Sequence, residues 1–322
     1  MDFGKVMEIN PNLTPEHQAK RRLVYGSTAA PAIMGLNPYR GKRAVYDFMT
    51  TGKEVEANNR MIIGSLQESS TLAIHGALWK RKIWTPGMRM LEGSDIIATS
   101  VDALSGELDA DEPDRCVEAK NVHFGSRDEW GENGTSIAPL HYVAQCQWHC
   151  GVWGMDQCDL VAMIGGEISV HPVKASPQLF GKMVEYVERF HRDYVLAGVR
   201  PELDGTRASS DEQRTHEWKV DDFITGDAHA EELMMGLLSV SEEIKALEYK
   251  EEAYRNLLKD QIKDHSGMRC AMGTITWKPR RGSSSVDWRN LAESFNPTAE
   301  QYTQYTKTTQ PSRPFVARKA KS

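Results

Sequence analysis

The sequence predicts an α/β chain, with a core over residues 1–200 and a helical extension over residues 227–322. Three observations carry this. Between residues 58 and 198 the hydrophobic pattern changes period in the order helix, three strands, helix, two strands, helix. Residues 199–226 then turn polar, with Pro201, Gly205 and a Ser-Ser-Asp-Glu stretch, which sets a linker at 201–226. Beyond it, residues 227–263 carry a regular apolar seam.

Residues 14–50 read as short helices around a turn: Gly26-Ser27 precedes an Ala-rich stretch, and Gly35 and Asn37-Pro38 break it. NNRMIIGSLQESSTLAIHGALW (58–79) reads as a helix with Met61, Leu66, Leu72 and Leu78 among its apolar positions and Glu68 in its middle. Strands are predicted at 88–93, 95–104 and 115–122, the last two separated by an acidic loop at 105–114. A helix over 139–155 starts at Pro139. CDLVAMIGG and EISVHPV follow as paired strands around Gly165-Gly166, and residues 176–198 form a long amphipathic helix. In the extension, Leu233, Leu237, Val240, Ile244, Leu247, Tyr254 and Leu258 recur at alternating steps of four and three, with Glu251 in the missing slot. That spacing predicts one long helix, packed either on its own chain or in an intermolecular coil. TITWKPRRGSSSVDWRNLAESF reads as a strand, a basic turn and a short helix, and the last twenty or so residues as disordered.

Composition excludes several classes. No run of 18 apolar residues exists, so no membrane helix is expected, and the N-terminus does not resemble a signal peptide. Five cysteines without a regular pattern suit free thiols in the cytoplasm. The net charge of −6 is unevenly spread: residues 267–322 carry +7 and residues 1–266 carry −13. The basic end is suited either to a phosphate backbone or to solvent.

The chemistry concentrates around SVDAL (100–104) and VEAKN (117–121). Side chains two apart on a strand share a face, so Glu118 and Lys120 point together, and an antiparallel neighbour would bring Asp102 beside them. Of the chain's four Glu-x-Lys pairs, only this one has an apolar strand ending in Asp ahead of it. The others are Glu217/Lys219, Glu243/Lys245 and Glu248/Lys250. Asp102, Glu118 and the backbone carbonyl of Ala119 offer hard oxygen ligands for Mg²⁺ or Mn²⁺. Glu68 could hold a water on a metal, or a second metal. Lys120 would position a water or stabilise a pentavalent phosphate. The competing reading is a surface Asp with a Glu–Lys pair on a strand.

These blocks resemble the PD-(D/E)xK nuclease core and, more narrowly over residues 21–200, the YqaJ-like viral recombinase family of lambda-type exonucleases. The matching blocks are RRLVYGSTAAPAIMGLNPY, MIIGSLQE, SVDAL (without the family's Pro and Gly), VEAKN followed by SRD at 126–128, and AQCQ at 144–147. The resemblance implies a restriction-endonuclease-like core with a central mixed sheet flanked by helices. It implies a metal-dependent deoxyribonuclease, a 5′→3′ exonuclease on double-stranded DNA ends in phage-type recombination, using two Mg²⁺ or Mn²⁺ ions. Asp102 and Glu118 would bind metal, Lys120 would be the catalytic lysine, Glu68 would assist at the metals and Gln145 would buttress the site. Arg21 or Arg22, Ser27 and Arg127, with Gln147 as a helper, would contact DNA and its 5′-phosphate. A ring-shaped homotrimer and a single-strand annealing protein are the implied partners. The rivals are a structure-specific or restriction-like endonuclease on the same core and a non-catalytic DNA-end scaffold.

Two further clusters are read as structural. His141, Gln145 and His149 form an i, i+4, i+8 stripe without a third strong ligand, so ordinary partly buried histidines are expected. Cys146, Cys150 and Cys158 have no N-terminal partner cluster for iron–sulfur binding and are expected as core thiols.

Overall fold

The computed structural model describes residues 21–53, 59–215, 223–279, 282, 285–307, 315 and 317. The chain divides into two compact units, Met1–Trp218 and Lys219–Ser322. In the first, β1 (Arg81–Trp84), β2 (Arg89–Met90), β3 (Ala98–Thr99), β4 (Ala103–Glu107), β5 (Arg115–Val122), β6 (Gln157–Ile164) and β7 (Glu167–Lys174) follow in chain order. The main sheet has the order β1-β4-β5-β6-β7, antiparallel throughout except for the parallel β5–β6 pair. This is the expected mixed sheet flanked by helices.

Alternation on β5 divides the core. Val117 and Ala119 face one layer with Leu72 of the Asn59–Trp79 helix. Cys116 on the other face packs with Cys146 and Cys150 of the Leu140–Trp153 helix. A third cluster lies beyond that helix, where Trp148 and Val152 meet the Ala29–Ile33 and Pro177–Phe190 helices through Ala30, Ile33, Met183, Val187 and Phe190. The Leu140–Trp153 helix therefore has packing partners on two sides, which is why it is buried nearly all round.

The described thiols Cys116, Cys146, Cys150 and Cys158 are free and buried, and Cys270 is free and exposed. No described helix is long and apolar enough to cross a membrane.

Several expectations change. Lys80, at φ 54°, ends the Asn59–Trp79 helix and turns the chain straight into β1, a strand too short to show its own period. The strand expected at 95–104 is two strands. Ala98–Thr99 pairs with β2, Ala103–Glu107 joins the main sheet, and Asp102 lies in the break between them.

The linker expected at 201–226 also differs, because the Arg207–Arg214 helix inside it is fastened to the core. Arg43 grips Glu212 at 3.0 and 2.9 Å and donates to the Pro201 carbonyl at 3.0 Å. Arg200 grips Asp47 at 2.8 and 2.6 Å. Backbone hydrogen bonds from Arg207 N to the Pro38 carbonyl at 3.1 Å and from Ala208 N to the Tyr39 carbonyl at 3.2 Å add to these ion pairs, so polar contacts hold the segment and its composition resembles a linker.

The second unit holds the Ala228–Ile262 helix, capped by Asp227 on the Ala230 amide at 2.8 Å. The β8 (Gly267–Cys270) and β9 (Gly273–Thr276) hairpin and the Trp288–Ser294 and Ala299–Tyr305 helices follow. β9 is the expected strand, and β8 is an unforeseen partner. The last helix reaches into the segment expected to be disordered, and most of that segment lies outside the described residues. Glu217/Lys219 and much of the basic tail lie outside them as well.

Candidate functional site

β4 and β5 pair with Ala103 opposite Val117, and the same antiparallel register carries Asp102 to the level of Glu118. Asp102 Oδ2 accepts from the Ala119 amide at 2.8 Å. In an extended strand a residue's N–H and C=O point the same way, so the Ala119 carbonyl is directed to the side where Asp102 stands. Glu118 and Lys120 share the other-face position expected of them. Lys120 Nζ donates to Glu118 Oε1 at 2.5 Å and lies 5.3 Å from the centre of the Tyr142 ring.

The wall opposite is the Leu140–Trp153 helix. His149 Nε2 stands 3.0 Å from Glu118 Oε2, and its Nδ1 is 2.7 Å from Thr99 Oγ1. Gln145 is buried on the same helix, and its Oε1 has no hydrogen-bond partner among the described residues.

Electrostatics separate the two carboxylates. Burial pushes Asp102 up, and the Glu118 charge adds to it, so its carboxyl lies well above the usual range. Burial also pushes Glu118 up, but the Lys120 ammonium and His149 outweigh that, and its carboxyl falls to about 2. Lys120 is raised, because Glu118 and Asp102 overcome the effect of burial. Glu68 is half-buried on the Asn59–Trp79 helix, and its charge also raises Asp102. Among the described residues no group of three or more His, Cys, Asp or Glu is arranged to hold a metal ion. The donor set here is two carboxylates and a carbonyl. Asp102, desolvated beside a second carboxylate, is the group a divalent cation would relieve.

The other site residues separate. Ser27 is buried just before the Ala29–Ile33 helix. Arg22 lies against the end of the Lys42–Thr51 helix, where a Cβ added to Gly52 would meet its Cζ at 2.5 Å. Arg127 is half-buried in the 3₁₀ turn Phe124–Glu129, close enough for its charge to add to the effect of burial in lowering His171. No hydrogen bond or ion pair joins Arg21, Arg22, Ser27 and Arg127 among the described residues. Gln147, expected as a DNA contact, is buried and bound at both ends. Its Nε2 donates to the Lys174 carbonyl at 2.7 Å and its Oε1 accepts from the Ser176 amide at 2.8 Å. It ties β7 to the Pro177–Phe190 helix. The histidine stripe also changes meaning, because His149 joins the carboxylate site directly. The signal was its position four residues after Gln145 on one helix face.

The sequence profile of the YqaJ-like viral recombinase domain matches residues 16–156, which bears out the resemblance read from the sequence blocks. No curated protein sequence matches the chain. Among solved structures, the chain is similar to an alkaline exonuclease (LHK-Exo) from Laribacter hongkongensis. The identity is 16% and the TM-score 0.46, over 58% of this chain and 94% of that one. LHK-Exo in complex with dAMP aligns at 16% identity and a TM-score of 0.46, over 56% and 92%. A phage related exonuclease from Haemophilus somnus 129PT aligns at 13% identity and a TM-score of 0.43, over 54% and 95%.

Proposed function

Taking the YqaJ-like viral recombinase match over residues 16–156 as the premise, we propose that this chain is a metal-dependent deoxyribonuclease, a 5′→3′ exonuclease on double-stranded DNA ends. One observation carries the reading: the Asp102 carboxylate, held by the Ala119 amide, stands at the level of Glu118, whose partner is Lys120. That is the Asp and Glu-x-Lys constellation the sequence blocks anticipate.

Asp102, Glu118 and the Ala119 carbonyl would hold Mg²⁺ or Mn²⁺, with Glu68 serving a bound water or a second ion. When bound, such an ion supplies charge stabilisation at the scissile phosphate and a more acidic water. Lys120 stays protonated beside Glu118, so it acts as a fixed positive charge toward the phosphate and not as a base. Gln145 Oε1, a buried acceptor without a hydrogen-bond partner among the described residues, would orient a donor at the site. Arg21, Ser27 and Arg127 would form the pocket for a terminal 5′-phosphate. Arg21 takes precedence over Arg22, whose side chain lies at Gly52. The substrate is duplex DNA with a free 5′-phosphorylated end, and the same resemblance supports a homo-oligomer, a trimer in the family, and an annealing protein as partner.

Linear and covalently closed circular duplex, each with and without Mg²⁺, test the reading. Mg²⁺-dependent loss of linear duplex alone is expected. Cutting of the closed circle would favour the endonuclease, and binding without cleavage in Mg²⁺ or Mn²⁺ would favour the scaffold.

A further inference from the structure

The Ala228–Ile262 helix is 35 residues long, about 50 Å at 1.5 Å per residue. Its apolar seam is uncovered for most of that length: Leu233, Leu237, Val240, Ile244, Leu247 and Tyr254 are each at least 41% exposed. The steps between them alternate four and three, a period of 3.5. A seam of that period stays in register only with another helix wound about it. The exposed seam therefore calls for a partner helix of the same period, and the charges flanking it discriminate between partners.

With Leu237, Ile244 and Glu251 at the a positions, Val240, Leu247 and Tyr254 fall at d. Glu243 and Lys250 are then the flanking g positions, and Ser241, Glu248 and Arg255 the e positions. In a parallel pair each g residue meets the partner's e residue five places on. Glu243 would meet Glu248, and Lys250 would meet Arg255, in both directions, so every charged contact would be repulsive. In an antiparallel pair, g residues meet g residues. Setting Ile244 across from Leu247 brings Glu243 beside Lys250 twice, while Glu248 meets Ser241. The same setting places Leu237 across from Tyr254 and Leu233 across from Leu258. Sliding the pair by one heptad either way sets Glu243 against Glu243 or Lys250 against Lys250. Glu251 falls across from Val240 in this setting and against another d residue in either neighbouring one, so charge selects the arrangement.

We propose that the Ala228–Ile262 helix pairs with the same helix of a second copy of this chain, antiparallel, with Ile244 opposite Leu247 and Glu243 opposite Lys250. The contact does not depend on the nuclease reading. Its test is sedimentation equilibrium of the full-length chain at micromolar concentration. Ile244→Asp is expected to reduce the mass at least twofold, and an unchanged mass would overturn the pairing. Orientation is read from charge. Glu243→Lys creates two repulsive pairs in the antiparallel form and is expected to weaken association about tenfold. Adding Lys250→Glu is expected to restore it. In a parallel pair Glu243→Lys would instead meet Glu248 and tighten association, and that result would overturn the antiparallel arrangement.

Discussion

His149 Nε2 lies 3.0 Å from Glu118 Oε2, while its other ring nitrogen is held by Thr99 at 2.7 Å. The imidazole is fully buried, so it stands against one oxygen of Glu118 while Lys120 takes the other. Partners behind a metal ligand typically contribute 10- to 100-fold to affinity or activity. His149→Ala is therefore expected to cost activity of that order and to raise the Mg²⁺ concentration needed for half-maximal rate. His149→Gln, which keeps a donor, is expected to recover part of both. A lowered melting temperature with an unchanged Mg²⁺ requirement would make His149 a packing residue only.

Asp102 gives a prediction that does not need activity. Its carboxyl is raised above the ordinary value of 3.8 by burial and by Glu118. The folded state therefore holds that proton more tightly than the unfolded chain does. The resulting stability is full below the ordinary value and is lost as pH rises through the folded one. Above the ordinary value, that lost stability leaves the metal-free fold weaker. Asp102→Asn removes the titrating group and keeps an oxygen for the Ala119 amide. Without metal, the variant is expected to melt higher than wild type at pH 7 to 8, and the gap should close near pH 4. Mg²⁺ should raise the melting temperature of wild type and leave the variant unmoved. Equal Mg²⁺ shifts in both proteins would remove Asp102 from the metal site.

The sequence made some parts of this arrangement legible and hid others for physical reasons. β5 could be read because Glu118 and Lys120 alternate with Val117 and Ala119, which are buried against another layer. The split at Asp102 could not be read. DIIATSVDAL is one apolar run by composition, and only pairing shows that its two ends belong to different sheets. The Arg207–Arg214 segment was hidden because ion pairs and backbone hydrogen bonds hold it, and polar residues carry no burial period. Gln147 and His149 sit two apart on one helix and have opposite fates. One ties β7 to the next helix and the other braces Glu118, a distinction set by which wall each faces.

Lys120 is the nearest cation to Glu118 and the leading reason its carboxyl falls to about 2 against the effect of burial. Lys120→Met is expected to lower the rate by roughly 10² or more, as loss of a preorganised charge does. The same change lets Glu118 rise. The acid side of the pH–rate profile should therefore move to higher pH, because the carboxylate protonates earlier on acidification. A lower rate with an unmoved acid limb would separate Lys120 from the state of Glu118.

The two arginines that begin the described chain are predicted to differ. Arg22 lies against Gly52, at the end of the Lys42–Thr51 helix, where a cation suits the exposed carbonyls. Arg21 is the one assigned to a terminal phosphate, with Ser27 and Arg127. Wild type is expected to degrade 5′-phosphorylated duplex faster than 5′-hydroxyl duplex. Arg21→Ala and Arg127→Ala should each narrow that difference, since a phosphate loses a charge-assisted partner in both. Arg22→Ala should leave the preference intact and lower the melting temperature slightly, because only the helix end loses its cation. Rates on the two duplexes, measured side by side for all three variants, decide the matter. Equal rates on both ends in wild type would dismiss the pocket. A preference lost in Arg22→Ala and kept in Arg21→Ala would exchange the two roles.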